Sequence, residues 1–220
     1  MKKYSLTNGT ELPVQTMYCI GRNYAAHAKE MNAVVEEQPL IFLKPSTAFC
    51  TNNSVVSIPS FSNEMHFEGE LVVVIGKDGF NISMDEVDRY IAGIGVGFDL
   101  TLRDIQSIAK SKGHPWAVSK GFRHSAPISE IIPYTPLMNL EQLEFSVHCN
   151  GTLRQSGNAF MMERSVKELI VYVSTIFELQ QGDCIFTGTP EGVGAVTSGD
   201  ELTILLHQNQ VQLRITIDKN

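Results

Sequence analysis

The chain has 220 residues, 43% apolar and 19% charged, with a formal net charge of −7. This is the composition of an ordinary folded protein with a sizeable core, which excludes disorder, and the acidic balance without any basic block argues against a nucleic-acid partner. The longest apolar runs fall far short of a membrane span, and polar residues follow Met1-Lys2-Lys3-Tyr4-Ser5, so neither a membrane partner nor a secretory leader is expected and the location read is cytoplasmic.

Cys19, Cys50, Cys149 and Cys184 lie far apart, with no C-x-x-C and no zinc spacing; free thiols in strands are the expectation. No repeat, low-complexity tract or linker breaks the chain, so residues 1–220 are read as one domain.

In chain order, Thr16 to Ile20 reads as a short strand and Gly21-Arg22-Asn23 as a turn. Asn23 is an N-cap candidate for a helix from Tyr24 to Met31, on which His27 and Glu30, three apart, share a face. Val34 to Pro39 is polar and turn-like. Leu40 to Lys44 is a strand stopped by Pro45, and Val55 to Pro59 is another. His66-Phe67-Glu68-Gly69-Glu70 runs into Leu71-Val72-Val73-Val74-Ile75, a strand apolar on both faces. Alternation places His66, Glu68 and Glu70 on one side of it.

Ser83-Met84-Asp85-Glu86 has the capping-box pattern and predicts a helix to about Ala92. Gly93, Gly95 and Gly97 leave one face of the next strand, Ile94 to Phe98, bare, so another backbone or a ligand is expected there. The spacing is not that of a dinucleotide-binding turn. Thr101-Leu102-Arg103-Asp104 repeats the capping pattern and opens a helix ending before Gly113. Arg103 and Gln106 share a face of it.

Trp116 to Phe122 reads as an extended segment carrying Lys120. Leu143 to Cys149 is a strand, and Asn150-Gly151 a hairpin turn. Ser165-Val166-Lys167-Glu168 is a third capping box, before a helix whose Val166, Leu169, Ile170, Val173 and Phe177 form a core-facing stripe. Cys184 to Thr187 is a strand. Glu201 to Leu206 and Val211 to Ile217 are the last two, joined near Gln208-Asn209. Strands outnumber helices and most helices are short, which predicts a β-rich α+β fold built on a curled sheet.

Two carboxylates at the mouth of a core strand repel each other and resist burial unless something neutralises them. With Asp99, which ends the glycine-rich strand, Glu68 and Glu70 make an all-oxygen set suited to Mg²⁺, Mn²⁺ or Ca²⁺. A solvated strand edge for the glutamates and a turn role for Asp99 are the competing readings. His27 and Glu30 fit a general base oriented by a carboxylate, although spacing alone equally describes an exposed helix face. By residue type alone Lys120 is an exposed strand lysine or a buried cation, and Arg103 and Gln106 are surface helix residues or ligands. Gly188-Thr189-Pro190-Glu191-Gly192 lacks the lysine of a phosphate-binding loop, so nucleotide binding is not expected there. His114, His124, His148 and His207 show no ligand spacing.

Five stretches together resemble the fumarylacetoacetate hydrolase superfamily in its short form, nearest to the acylpyruvate hydrolase and oxaloacetate decarboxylase branch. They are Gly21-Arg22-Asn23-Tyr24 with His27 and Glu30; Leu43-Lys44-Pro45-Ser46; His66 to Leu71; Asp99 to Asp104 continuing through Trp116 to Lys120; and Thr187 to Gly194. The matches run from about residue 16 to the C-terminus.

The resemblance implies a β-roll, usually homodimeric, with Glu68, Glu70 and Asp99 holding Mg²⁺ or Mn²⁺, and with Ca²⁺ able to replace it in crystals. It implies that Lys120 and Thr189 contact substrate or the metal-bound oxygens, that Arg22, Arg103 and Gln106 bind substrate, and that His27 and Glu30 sit on a lid that orders over it and activates water. The segment after Gly69 and residues Val34 to Gln38 vary within the family and do not fix the substrate.

The expected chemistry is metal-stabilised enolate formation from a 2-oxo or 2,4-dioxo acid. Water activated by His27 and Glu30 would split an acylpyruvate into pyruvate and a carboxylic acid, the first expectation. Decarboxylation or tautomerisation of oxaloacetate on the same site is the second, and a non-catalytic oxo-acid binding protein the third. His66 is expected to support Glu68 or Glu70 from outside the metal's ligands.

Overall fold

A computed structural model describes residues 2–30, 37–206 and 211–219. In chain order these hold β1 (Met17–Gly21), α1 (Ala25–Glu30), β2 (Leu40–Lys44), β3 (Ser54–Ile58), β4 (Met65–Phe67), β5 (Gly69–Ile75), β6 (Ile91–Phe98) and β7 (Thr101–Leu102). Then come α2 (Arg103–Lys112), α3 (Ala117–Lys120), β8 (Ile132–Pro133), β9 (Glu144–Cys149), β10 (Thr152–Asn158), α4 (Val166–Ile176), β11 (Cys184–Phe186), β12 (Gly194–Val196), β13 (Glu201–Leu206) and β14 (Val211–Lys219). Further short strands pair at the periphery.

Two sheets dominate. One runs β8-β6-β5-β11-β1-β2, antiparallel except where β11 meets β1; the other runs β10-β9-β13-β14-β3, with β14 and β3 parallel. A small third sheet, β7-β4-β12, lies beside them. The fold is the β-rich α+β arrangement the sequence predicts.

β5 shows why the fold closes around it. Leu71, Val73 and Ile75 enter one apolar core with Phe145, Val147, Ile204 and the α4 stripe, while Val72 and Val74 enter a second with Met17, Phe186 and Ile128. Burial on both faces is what a strand without polar alternation needs. The sheets touch closely at Gly69, where an added Cβ would collide with Val147.

The bare glycine face of β6 is covered as expected. A Cβ at Gly93 would strike the Ile132 carbonyl, and one at Gly97 would strike Phe186 and the Pro127 carbonyl. The Asn150-Gly151 hairpin forms with both residues at positive φ (51° and 75°), as a two-residue turn of this kind requires. All four cysteines are free, buried and in strands.

Four local expectations are corrected. Ser83 to Glu86 opens no α-helix: a single 3₁₀ turn, Val87–Tyr90, leads directly into β6 at Ile91. The second capping pattern does precede a helix, but Thr101 Oγ1 donates to the Asp99 carbonyl instead of capping it. Asn23 does not cap α1, because its amide donates to the Arg164 and Thr187 carbonyls and accepts from the Arg164 N–H. Trp116 to Phe122 is not extended; Ala117–Lys120 turns into α3, closed by N–H bonds from Lys120 to Trp116 and from Gly121 to Ala117.

Met31, Val34 to Glu36, His207 and Gln208-Asn209 lie outside the described residues. No helix among the described residues is long and apolar enough to cross a membrane.

Candidate active site

Strand register assembles the three carboxylates. Gly69 pairs with Phe98 and Glu70 with Gly97, so the start of β5 lies against the end of β6. The Asp99 N–H donates to the Glu68 carbonyl at 2.8 Å, extending that ladder past the end of β6. Because Gly97 has no side chain, nothing on β6 stands opposite Glu70. One oxygen each from Glu68, Glu70 and Asp99 falls within 4.8 Å of the others, and all three residues are buried. Hard divalent cations favour such oxygen sets.

Cations converge on the same point. Lys120 Nζ lies 2.7 Å from Glu68 Oε2 and 2.5 Å from Asp99 Oδ2. The turn of α3 is what carries it inward, and it is 2% exposed instead of lying on an open strand. Arg103 Nη2 donates to Glu68 Oε1 at 2.6 Å, and its Nη1 donates to Gln106 Oε1 at 2.7 Å. Both are buried on the inner face of α2.

Sequence reasoning assigned no role to Lys44. It is fully buried at the end of β2, 2.8 Å from Asp99 Oδ1, and donates to the Leu100, Ser125 and Lys120 carbonyls. The Asp99 Oδ1 contact lacks hydrogen-bond alignment, so this oxygen is a buried acceptor without a donor.

These charges set the protonation of the carboxylates in opposite directions. Burial works to raise the Glu68 carboxyl, but Lys120 and then Arg103 overcome it and hold Glu68 well below the usual range. Glu70 is pushed well above that range, by burial first and then by the charges of Asp99 and Glu68, against a 2.7 Å bond from the Gly188 N–H. Burial lowers the Lys120 ammonium, yet Asp99 and Glu68 together leave it raised. A carboxyl raised by burial and by its anionic neighbours, beside an Asp99 oxygen with no hydrogen-bond donor, belongs to a ligand set that a divalent cation fits.

His27 and Glu30 are one pair: Nδ1 lies 3.3 Å from Glu30 Oε2. With Nδ1–H donating, Nε2 is the basic nitrogen. Both Glu30 oxygens also accept from the Gly192 N–H at 3.2 Å. The glycine-rich segment is therefore a donor cradle as well as a turn. Gly188 serves Glu70, Gly192 serves Glu30, and Thr189 Oγ1 donates to the Gly69 carbonyl at 2.8 Å. Gly192 must be glycine: its φ is +93° and a Cβ would meet the Arg154 carbonyl.

Gln155, from the other large sheet, locks this cradle onto β5. Its Oε1 accepts from the Gly69 N–H, and its Nε2 donates to Thr189 Oγ1 and the Pro190 carbonyl. A lone glutamine in a hairpin strand carries no local signal of such a role.

One cleft gathers these side chains. His27, Glu68, Glu70, Asp99, Lys120 and Thr189 line it together with Arg22, Arg103 and Gln106. Every site residue expected from the sequence except Glu30 lines it, and Glu30 reaches it through His27. Phe42, Lys110 and Trp116, with Ile20, Gly21 and Leu40, form the rest of the wall and carry no role in the sequence reading.

Arg22 holds a left-handed φ of +62°, a strained conformation for a side chain of its size. His66 departs from expectation. Its Nε2 bonds to Glu64 Oε1 at 2.8 Å and its Nδ1 is buried without a partner, so it supports neither Glu68 nor Glu70.

Comparison with known proteins agrees with this geometry. Residues 16–218 match the family model described as the fumarylacetoacetate (FAA) hydrolase C-terminal domain. Oxaloacetate tautomerase YcgM of Escherichia coli is 41% identical over 206 residues, covering 93% of this chain and 94% of that protein. A mitochondrial oxaloacetate decarboxylase of Dictyostelium discoideum is 42% identical over 181 residues, 82% of this chain and 83% of its own length. The crystal structure of fumarylpyruvate hydrolase from Pseudomonas aeruginosa with Mn²⁺ and pyruvate superposes with a TM-score of 0.94 at 34% identity, covering 100% of this chain and 96% of that one.

Proposed function

Because the chain belongs to the fumarylacetoacetate hydrolase family, we propose that it is a divalent-metal-dependent enzyme of small 2-oxo acids that interconverts the keto and enol forms of oxaloacetate. The observation that carries this reading is the buried Glu68–Glu70–Asp99 set, joined to Lys120 and Arg103 and sharing its cleft with His27. Acylpyruvate hydrolysis, first by sequence, moves to second place because relatives 41% and 42% identical are an oxaloacetate tautomerase and an oxaloacetate decarboxylase.

In this reading Glu68, Glu70 and Asp99 hold Mg²⁺ or Mn²⁺. When bound, the cation supplies Lewis acidity that lowers the cost of negative charge on the 2-oxo oxygen. His27, steadied by Glu30, takes the proton from carbon 3 of oxaloacetate at Nε2. The C–H electron pair becomes the new carbon–carbon double bond, and the proton is delivered to the oxygen on carbon 2. Arg103, with Gln106, pairs with the carboxylate next to the keto group, and Arg22 adds a further substrate contact. Lys120 offsets the charge of the carboxylates, and Thr189, its hydroxyl held by the Gly69 carbonyl and Gln155, contacts the substrate from the cleft wall. We further read the protein as a single-domain homodimer, on the family resemblance, and keep the cytoplasmic location as part of this proposal.

The second reading has its own support. The fumarylpyruvate hydrolase structure covers the whole chain, and the His27–Glu30 pair has the geometry of a base for water attacking an acylpyruvate. A turnover screen of the Mg²⁺- or Mn²⁺-supplemented protein over oxaloacetate, acylpyruvates and fumarylpyruvate, with an EDTA control, tests both. Activity that survives EDTA sinks the metal reading. His27→Ala is expected to lower tautomerisation and hydrolysis by about 10²–10⁴-fold while sparing decarboxylation, which needs no attacking water. Equal loss of all three would overturn this division of roles.

A further inference from the structure

Helix α2 lines the cleft with Arg103, Gln106 and Lys110, at positions i, i+3 and i+7 of one stripe. Arg103 and Gln106 bond to each other, and Arg103 is tied to Glu68. Lys110 lies seven residues on, roughly 10 Å farther along the axis. Its ammonium stands 5.2 Å from the centroid of the Trp116 ring, which packs against Phe42 at 5.7 Å. Among the described residues Lys110 has no ion pair.

The charged groups that act most strongly on Lys110 are Arg103, Arg22 and Lys120, of its own sign, and the anion Glu68. Lys110 keeps an exposed surface; partial desolvation first, and then Arg103, pull its ammonium below the usual lysine range. Arg22 comes from a different element, the turn after β1, in its strained conformation. Arg103 and Lys120 already pair with Glu68 and Asp99, whereas Lys110 on the same cleft wall has no carboxylate of its own among the described residues, and a cation placed there is positioned to meet an anion of the ligand.

We propose that Lys110, with Arg22, forms the subsite for a second carboxylate of the substrate. The protein then selects 2-oxo acids with a carboxylate at the far end over acylpyruvates with a neutral tail. This deepens the oxo-acid activity proposed above and rests on it.

The charge balance of the site agrees. With all three carboxylates ionised, Glu68, Glu70 and Asp99 set three anions against the cations Lys44, Lys120 and Arg103. A divalent cation held there leaves the site two charges positive, which a dianionic oxo-acid neutralises. A lysine suits the far end: its ammonium is a point charge on a flexible stem, able to meet tails of different length.

The test uses Lys110→Met and Lys110→Arg in the full-length Mn²⁺-loaded protein, with kcat and KM measured for oxaloacetate and for acetylpyruvate. Lys110→Met is expected to lower the ratio of the two kcat/KM values roughly ten- to hundredfold, mainly through the KM for oxaloacetate. Lys110→Arg is expected to recover most of that ratio. A ratio unchanged in Lys110→Met overturns the subsite.

Calorimetric affinities for 2-oxoglutarate and 2-oxobutyrate, a pair with and without the far carboxylate, read the same preference without turnover. If the wild-type protein turns over neither oxo-acid but Lys110→Met still loses the dicarboxylate preference in binding, the proposed activity fails and the subsite stands. Equal affinities for the pair in the wild-type protein overturn the subsite whatever the activity.

Discussion

Lys44 shows how much a single side chain carries in this site. Its ammonium is fully buried against Asp99 and three carbonyl oxygens. Its removal leaves Asp99 to share Lys120 with Glu68 and takes a donor from three buried carbonyls, a loss on the scale of a broken buried ion pair, about 3–5 kcal/mol. Lys44→Met is therefore expected to cost that much in urea denaturation of the metal-free protein, and a loss below about 1 kcal/mol would show that Asp99 does not depend on it.

Glu70 makes a second prediction at this scale. Its carboxyl is raised by burial and by Asp99 and Glu68, so a cation bound there is expected to compete with a proton. Mn²⁺ binding should release protons and tighten as pH rises above the ordinary carboxylate range. Calorimetry in buffers of different ionisation enthalpy counts those protons, and zero release would refute that competition.

The sign for stability follows from the same shift. The metal-free fold gains from the retained proton fully below the ordinary carboxylate range, and loses that gain as pH rises through the raised value. Glu68, Glu70 and Asp99 were legible in the sequence because charge at the mouth of an apolar strand is anomalous. Lys44 was not, because a lysine before a proline reads as a strand end, and only the burial of β2 reveals what it meets.

At the scale of elements, three similar capping patterns had different fates. Ser165 accepts from the Glu168 N–H while Glu168 accepts from the Ser165 N–H, a complete capping box. The helix after it buries Val166, Leu169, Ile170 and Val173. The Ser83 hydroxyl donates to the Glu86 carboxylate while the Glu86 N–H goes to the Ser83 carbonyl, and of the 3₁₀ turn that follows only Val87 is buried. Ile91 is then taken by pairing with Ile75. A cap cannot sustain a helix that lacks a stripe to bury, and strand pairing removes the residues the helix would need.

Ser165→Ala is accordingly expected to destabilise the protein by about 1 kcal/mol in thermal or urea melts. No measurable change would mean that α4 is held by packing alone. Trp116 to Lys120 was misread for a related reason: Trp, Ala, Val and Ser in a short run do not separate one helical turn from a strand. The outcome matters because that turn delivers Lys120 to the carboxylates.

For the whole molecule, metal and fold should be linked. A cation that binds only the folded arrangement of Glu68, Glu70 and Asp99 stabilises it by about 2.7 kcal/mol at a hundred times its Kd. In a chain of this length that corresponds to a rise in thermal midpoint of roughly 5–10 °C. Mn²⁺ should produce the rise and EDTA reverse it; an unchanged midpoint at saturating Mn²⁺ would count against a site made by these three residues.

By itself the sequence determined the β-rich class, the doubly buried β5, the glycine face of β6, the 165–176 helix and the residue types of the site. Each of these follows from periodicity or from a charge out of place, which are local properties. Tertiary structure alone decided the rest. It placed Asp99 beside Glu68 through the β5–β6 register, Lys44 beneath Asp99, Gln155 under the glycine-rich cradle, His66 on Glu64, and Lys110 over Trp116 at the mouth of the cleft. These contacts join residues on different elements, and which of them meet depends on how the sheets pair and pack, which no local pattern of residues encodes.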